Sequence, residues 1–205
     1  MLCGLALAAP RTVLYAQSAE EILAKMDKEM ERADTEGCYF VMELKVPIIG
    51  SLPAEVYILN NKLRVQTSVG GNYVIEWKDG TTQWEYESDK NQVTVKQDKK
   101  LATDSDADDK LGLFDTATEG YDLKIDKETN KAWNILCTKS KSNKNKDDPK
   151  KMELVVAKGS YIPISLKTTI NGVTITLRDV RIGVKEAEVT FDEKDYPGVK
   201  IIDKR

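Results

Sequence analysis

Three aspartates at alternate positions, Asp104, Asp106 and Asp108, are the group whose spacing most suggests chemistry, because alternating carboxylates supply the first ligands of a calcium loop. The sixth place of that pattern is Asp109, where the sharp turn needs glycine, and the twelfth is Asp115 rather than a bidentate glutamate. The spacing favours a solvated acidic loop over a metal site. Glu43, Glu85 and Glu87 could be imagined as an acid/base pair, but strand parity puts them on a wet face, where nothing separates their pKa values. Cys38 and Cys137 sit inside apolar strand patterns with no activating neighbour, so they read as buried core thiols, or as a bridge if the compartment is oxidising. The 205 residues contain no histidine, which excludes Ser-His-Asp and Cys-His catalysis and histidine-ligated zinc together. The residues call for no cofactor and no enzyme activity.

Net charge is −3 with a pI near 5.3, which argues against a nucleic-acid binder, since displacing counterions needs a positive face. With 40% hydrophobic residues the chain suits one globular domain. Its first residues, MLCGLALAAPRTVLYAQ, resemble the end of an export signal cut after Ala16. Residues 1–16 are therefore expected to be a signal peptide and 17–205 a single exported, soluble, monomeric domain. No other stretch approaches the roughly 18 apolar residues of a membrane span.

Behind the signal, Ser18 and Glu21 form a capping-box pattern, and Ala19, Leu23, Met26, Met30 and Ala33 make a helical stripe ending near Asp34. From Gly37 onward the pattern alternates with period two. Phe40, Met42, Leu44 and Val46 share one face, Ala54, Val56 and Ile58 follow, then Leu63, Val65 and Thr67. Tyr73 to Val95 reads as three strands joined at Asp79-Gly80 and Ser88-Asp89-Lys90-Asn91, with Thr82, Trp84 and Tyr86 on one face of the middle one. Strands follow around Leu123, Ile135 and Leu154, and Ile164, Leu166, Thr168 and Ile170, alternating onto one face, run into Asn171-Gly172 and return as Val173, Ile175 and Leu177. About eleven strands result, joined mostly as antiparallel neighbours. A single helix roughly 24 Å long cannot cover that much apolar sheet, so the sheet must curl and leave an apolar hollow. Two loops break the rhythm. One runs from Asp98 to Lys110 into an apolar cluster, Leu111, Leu113 and Phe114, that could form a second short helix over the mouth; the other is the lysine-rich Ser140 to Lys151, read as a mobile solvated loop rather than a docking site for anionic head groups or a partner.

The motifs DGTTQWEY from Asp79, YIPISLKTTINGVTITLRDVRI from Tyr161 and VTFDEKDYPGVKIIDKR at the end, behind an AEEILAKM helix start, resemble the LolA-like family of periplasmic outer-membrane lipoprotein carriers. The likeness covers nearly all of the expected mature chain. It implies a mainly β fold with few helices: an open, strongly curved antiparallel half-barrel with an N-terminal helix as lid, whose hollow takes up lipoprotein acyl chains or other lipid. It also implies an inner-membrane releasing transporter and an outer-membrane acceptor as partners, and the family includes envelope sensors and surface lipid binders on the same fold. The proteobacterial carriers place a functional arginine in the turn after the second strand, in a pattern like W-V-K-R-P; here Tyr57-Ile58-Leu59-Asn60-Asn61 has asparagine in its place.

The hollow is expected to be lined by Phe40, Met42, Leu44, Val56, Ile58, Leu63, Val65, Trp84, Tyr86 and Leu166, with Met26 and Met30 on the lid. Each of these side chains would also serve as ordinary core.

Overall fold

A computed structural model describes residues 17–98, 120–146 and 148–205. The expected signal peptide, the acidic loop with its three aspartates, and the Leu111 to Phe114 cluster lie outside the described residues.

Helix α1 (Ala19–Met30) begins where its cap dictates: Ser18 Oγ accepts from the Glu21 amide at 3.2 Å, and the Glu21 carboxylate accepts from the Ser18 amide at 3.3 Å. Its apolar stripe is wider than the sequence reading, because Ile22 is fully buried beside Leu23 and Met26. A second short helix, α2 (Ala33–Glu36), ends at Gly37, whose φ of 77° is left-handed. A Cβ at Gly37 would stand 2.6 Å from the Ile58 carbonyl oxygen, so glycine is what lets the chain turn directly into the sheet.

Twelve strands among the described residues form one sheet. The first six are β1 (Cys38–Val46), β2 (Gly50–Leu59), β3 (Lys62–Val69), β4 (Asn72–Lys78), β5 (Thr82–Glu87) and β6 (Gln92–Gln97). The second run is β7 (Tyr121–Glu128), β8 (Ala132–Lys139), β9 (Lys151–Ala157), β10 (Pro163–Ile170) and β11 (Val173–Ile182), followed by the short helix α3 (Glu186–Val189) and β12 (Lys200–Asp203). Each run is an antiparallel meander, and β1 pairs with β11 to join them. The order β12-β6-β5-β4-β3-β2-β1-β11-β10-β9-β8-β7 leaves the sheet open, the half-barrel that the resemblance implies.

Three details differ from the sequence expectation. The strands number twelve rather than about eleven, because the closing residues Lys200–Asp203 add a strand parallel to β6. That segment has no alternating burial to betray it, and its pairing depends on where the preceding chain leads it. Ile164 does not share the face of Leu166: the register slips between Pro163 and Ser165, so Pro163 is buried and Ile164 is 45% exposed. A second slip, on β11 at Asp179 (φ 58°), lets Leu177, Val180 and Ile182 all reach one core.

The third difference reshapes the sheet. Directly opposed residues of an antiparallel pair share a face. The row Val56, Val65, Glu76, Glu85, Thr94 therefore lies on one side, and the row Tyr57, Arg64, Trp77, Trp84, Val95 on the other. The side bearing α1, called the inner face here, is apolar through β3 and polar from β4 onward. On the outer face the change runs the opposite way. The principal core lies between α1 and the inner face of β1, β2 and β7 to β11, with Phe40, Val56, Ile135, Leu154, Leu166 and Leu177 under the helix. A second core, Ile75, Trp77, Tyr86, Val93 and Val95, lies on the outer face of β4 to β6.

That outer core is roofed by the chain after β11. Gly183 and Val184 donate to the carbonyls of Gly37 and Glu36 at 3.0 and 2.8 Å, and Val184 and Val189 pack on Leu59, Tyr39 and Tyr57. Phe191, Tyr196 and Val199 then close over the second core before β12 pairs with the β6 edge. The strap is anchored by ring contacts, Trp77 to Phe191 at 5.3 Å and Tyr86 to Tyr196 at 4.7 Å between centroids.

Candidate functional site

The expected lining residues fall into three groups. Met26, Met30, Phe40, Val56 and Leu166 are buried in the principal core, packed on one another between helix and sheet. Met42, Leu44, Ile58, Leu63 and Val65 lie on the same inner face but are only half-buried. Trp84 and Tyr86 are not brought to that hollow: both lie on the outer face under the strap, Tyr86 at 7% exposure and Trp84 half-buried beside it.

The half-buried group lies in two patches joined through the buried Ala54 and Val56. Cross-strand pairs link Ile58 to Leu63 and Val56 to Val65, and on the other side Leu44 to Ile175 and Met42 to Leu177. Ile175 is itself half-buried on this face. Met42, Ile58, Leu63 and Val65 pack against the principal core, with α1 near β7 and α2 near β2. An uncovered apolar strip continuous with a core is the expected form of a site for alkyl groups.

The strip ends at a charged wall. One strand beyond Leu63 and Val65 stand Lys78 and Glu76, paired at 2.7 Å and each about 30% exposed. Beyond them Glu85 is bound by Lys96 at 3.2 Å, and Glu87 by Lys90 at 2.5 Å. Glu76 and Glu85 are directly opposed, an arrangement of like charges that the two lysines neutralise. Glu85 and Glu87, imagined as acid and base, are thus held in ion pairs, and Glu43 accepts from the Ser51 hydroxyl.

The turn where the carriers have arginine is explained by its backbone. Asn60 has φ 53° in the two-residue turn closed by Leu59 and Lys62, a conformation asparagine tolerates and arginine resists. Asn61 next to it donates to the Asp79 carbonyl at 3.0 Å.

The lysine-rich loop is tied down. Asn143 and Asn145 both donate to the Asp148 carboxylate at 2.7 Å, Lys139 donates to the Asn145 carbonyl, and the Tyr121 hydroxyl donates to the Pro149 carbonyl at 3.0 Å. Beside it a groove of about 360 Å3 runs between the loop and the ends of β9 and β10, bordered by Lys146, Lys150, Lys151 and Lys167 with Asp148 and Glu153.

Cys38 and Cys137 are free and buried. Burial pushes each thiol up to about 11, for Cys38 against a smaller lowering by the Arg181 charge. Unionised and enclosed, they are structural.

No family model and no curated protein matches the sequence. Solved structures do match. The lipoprotein LppX of Mycobacterium tuberculosis is similar with a TM-score of 0.50 and 11% identity over 78% of this chain and 94% of that one. A LolA superfamily protein from Nitrosomonas europaea is similar with a TM-score of 0.32 and 12% identity, covering 87% of this chain and 100% of that one. The MucA/MucB complex of Pseudomonas aeruginosa is similar with a TM-score of 0.45 and 12% identity over 84% of this chain and 62% of that one. At these identities the likeness, carried by LppX, speaks to fold alone: in this chain, one open, mainly β sheet with helix α1 on its inner face. No helix among the described residues is long and apolar enough to cross a membrane.

Proposed function

We propose that this protein is an exported, periplasmic carrier that takes up acyl chains, those of lipoproteins foremost, along the inner face and shields them from water on the way to the outer membrane. One observation carries this: Met42 and Leu44 on one side and Ile58, Leu63 and Val65 on the other are half-buried and are joined through the buried Ala54 and Val56 into one apolar strip on the inner face. Burying a methylene is worth about 0.8 kcal/mol, so a sixteen-carbon chain left in water costs on the order of 12 kcal/mol. A carrier needs apolar surface of this kind more than it needs polar specificity. The wall of Glu76, Lys78, Glu85 and Lys96 sets the limit of that surface and faces the polar end of an amphiphile.

Asn60 bears on the partners. Lacking the turn arginine of the proteobacterial carriers, this chain would meet a releasing transporter and an acceptor through other residues. A second reading, a sensor or partner-binding module on the same fold, draws on the lysine-bordered groove beside the tied loop.

A fluorescent fatty acid titrated into purified protein tests the carrier reading. Binding that palmitate displaces, and that Met42→Glu or Val65→Glu weakens at least tenfold in a still-folded protein, supports it. Protein that binds no fatty acid and copurifies with no lipid contradicts it. An envelope protein that binds stoichiometrically without lipid, through the Lys146 and Lys150 side, supports the second reading.

A further inference from the structure

The hairpin joining β1 to β2 ends in Pro47-Ile48-Ile49, and both isoleucines stand in solvent, Ile48 at 107% and Ile49 at 70% exposure. Ile48 also has φ 73°. A β-branched side chain in the left-handed region is strained, and glycine there would remove both the strain and the exposed apolar surface. Neither the principal core nor the strap core includes these residues. Two isoleucines exposed side by side on a strained tip form an apolar surface that belongs to none of the described cores.

What they meet is indicated by the rest of that end of the sheet. Lys45, exposed at the end of β1, pairs with Thr174 at the start of β11, so the β10–β11 turn at Asn171-Gly172 lies alongside the isoleucine tip. That turn forms one side of the groove that Lys146, Lys150, Lys151 and Lys167 border. With β strands spaced about 4.8 Å apart, β1 and β9 are roughly 15 Å from each other, so the isoleucines and the lysines can touch one flat surface together. Among the described lining residues Lys151 is paired with Glu153 at 2.8 Å, while Lys146, Lys150 and Lys167 outnumber Asp148.

We infer that this end of the half-barrel docks on an anionic lipid bilayer, with Ile48 and Ile49 entering the interface and the lysine-bordered groove taking the phosphate-bearing head groups. Apolar insertion and electrostatic attraction each give weak, reversible binding, and their sum gives an attachment that a mobile carrier can leave. Leu44 lies on the inner face near the same tip, so docking there would bring the end of the apolar strip to the bilayer surface. The docking surface does not require that the strip bind an acyl chain, and the two can fail separately.

Cosedimentation of the full chain with phosphatidylcholine vesicles, with and without phosphatidylglycerol, tests this. Because residues 1–16 are themselves apolar, the variants decide the outcome rather than the unmodified chain alone. Ile48→Ser with Ile49→Ser should lower partitioning onto phosphatidylglycerol vesicles at least tenfold, and Lys146→Gln with Lys150→Gln should lower it severalfold and flatten its salt dependence. Both variants should keep the urea midpoint of the unmodified chain, which reports that they fold. Partitioning that survives the isoleucine changes, or that is equal on neutral vesicles and indifferent to the lysine changes, overturns the inference.

Discussion

Val65 on β3 and Glu76 on β4 stand directly opposite one another, and between them the inner face of the sheet passes from apolar to ionic. One sheet therefore carries two cores on opposite sides, one under α1 and one under the strap. The division separates residues that strand periodicity alone treats as equivalent. Trp84→Phe and Tyr86→Phe should leave fatty-acid affinity within about twofold of wild type, whereas Val65→Glu should weaken it at least tenfold. Titrations of the three variants decide this, and a loss of affinity in the Trp84 variant with retained stability would place the lipid on the wrong side of the sheet in our account.

The outer core should be costly to disturb. Trp77 is 3% exposed and meets Phe191, Tyr196 and the Arg64 guanidinium, whose carbon lies 6.0 Å from the ring centroid. Trp77→Ala is expected to destabilise the fold by about 3–5 kcal/mol, the usual cost of emptying a large aromatic site. Urea unfolding measures it. A loss below about 1 kcal/mol would mean that the strap contributes little.

Much of this arrangement was legible in the sequence and some of it was not, for identifiable reasons. Ser18 with Glu21 set the helix start, and alternation located β1 to β6 because each strand carries its own parity. Parity within a strand does not say how its faces line up with the next, and that is why Trp84 and Tyr86 were grouped with Val65. The missing signal was Gly70-Gly71. Both have positive φ and form a two-residue turn that sets Val69 opposite Asn72; counting back puts Val65 opposite Glu76 and Arg64 opposite Trp77. The slip at Ile164 and the parallel strand β12 had no such local signal.

Gly37 should resist replacement. Alanine there would need a left-handed backbone and a Cβ 2.6 Å from the Ile58 carbonyl oxygen. Gly37→Ala is expected to cost more than about 1 kcal/mol, visible as a lower urea midpoint with an unchanged slope. An unchanged midpoint would show that the junction between α2 and β1 can rearrange freely.

Stability should fall in alkaline solution. With the folded thiols of Cys38 and Cys137 pushed up to about 11 from an ordinary 9.0, the folded state holds those protons more tightly than the unfolded chain. Their contribution is intact below pH 9 and is lost as pH rises toward 11, by about 2 kcal/mol or more per thiol. Half-buried Tyr196, its hydroxyl also pushed up by partial desolvation, acts in the same direction. Urea unfolding across that range checks the sign, and Cys137→Ala should reduce the slope. Stability that rises with pH there would contradict the burial of both thiols, as would their ready reaction with a thiol reagent in the native protein.

The carrier account stands most directly on where an alkyl chain lies, and methyl-resolved NMR of the protein titrated with palmitate reads that position. The methyl signals of Met42, Ile58, Leu63 and Val65 should shift in a saturable manner while those of Ile75, Val93 and Val95 on the outer face stay in place. No saturable shift on the inner face, or shifts confined to the outer core, would contradict it.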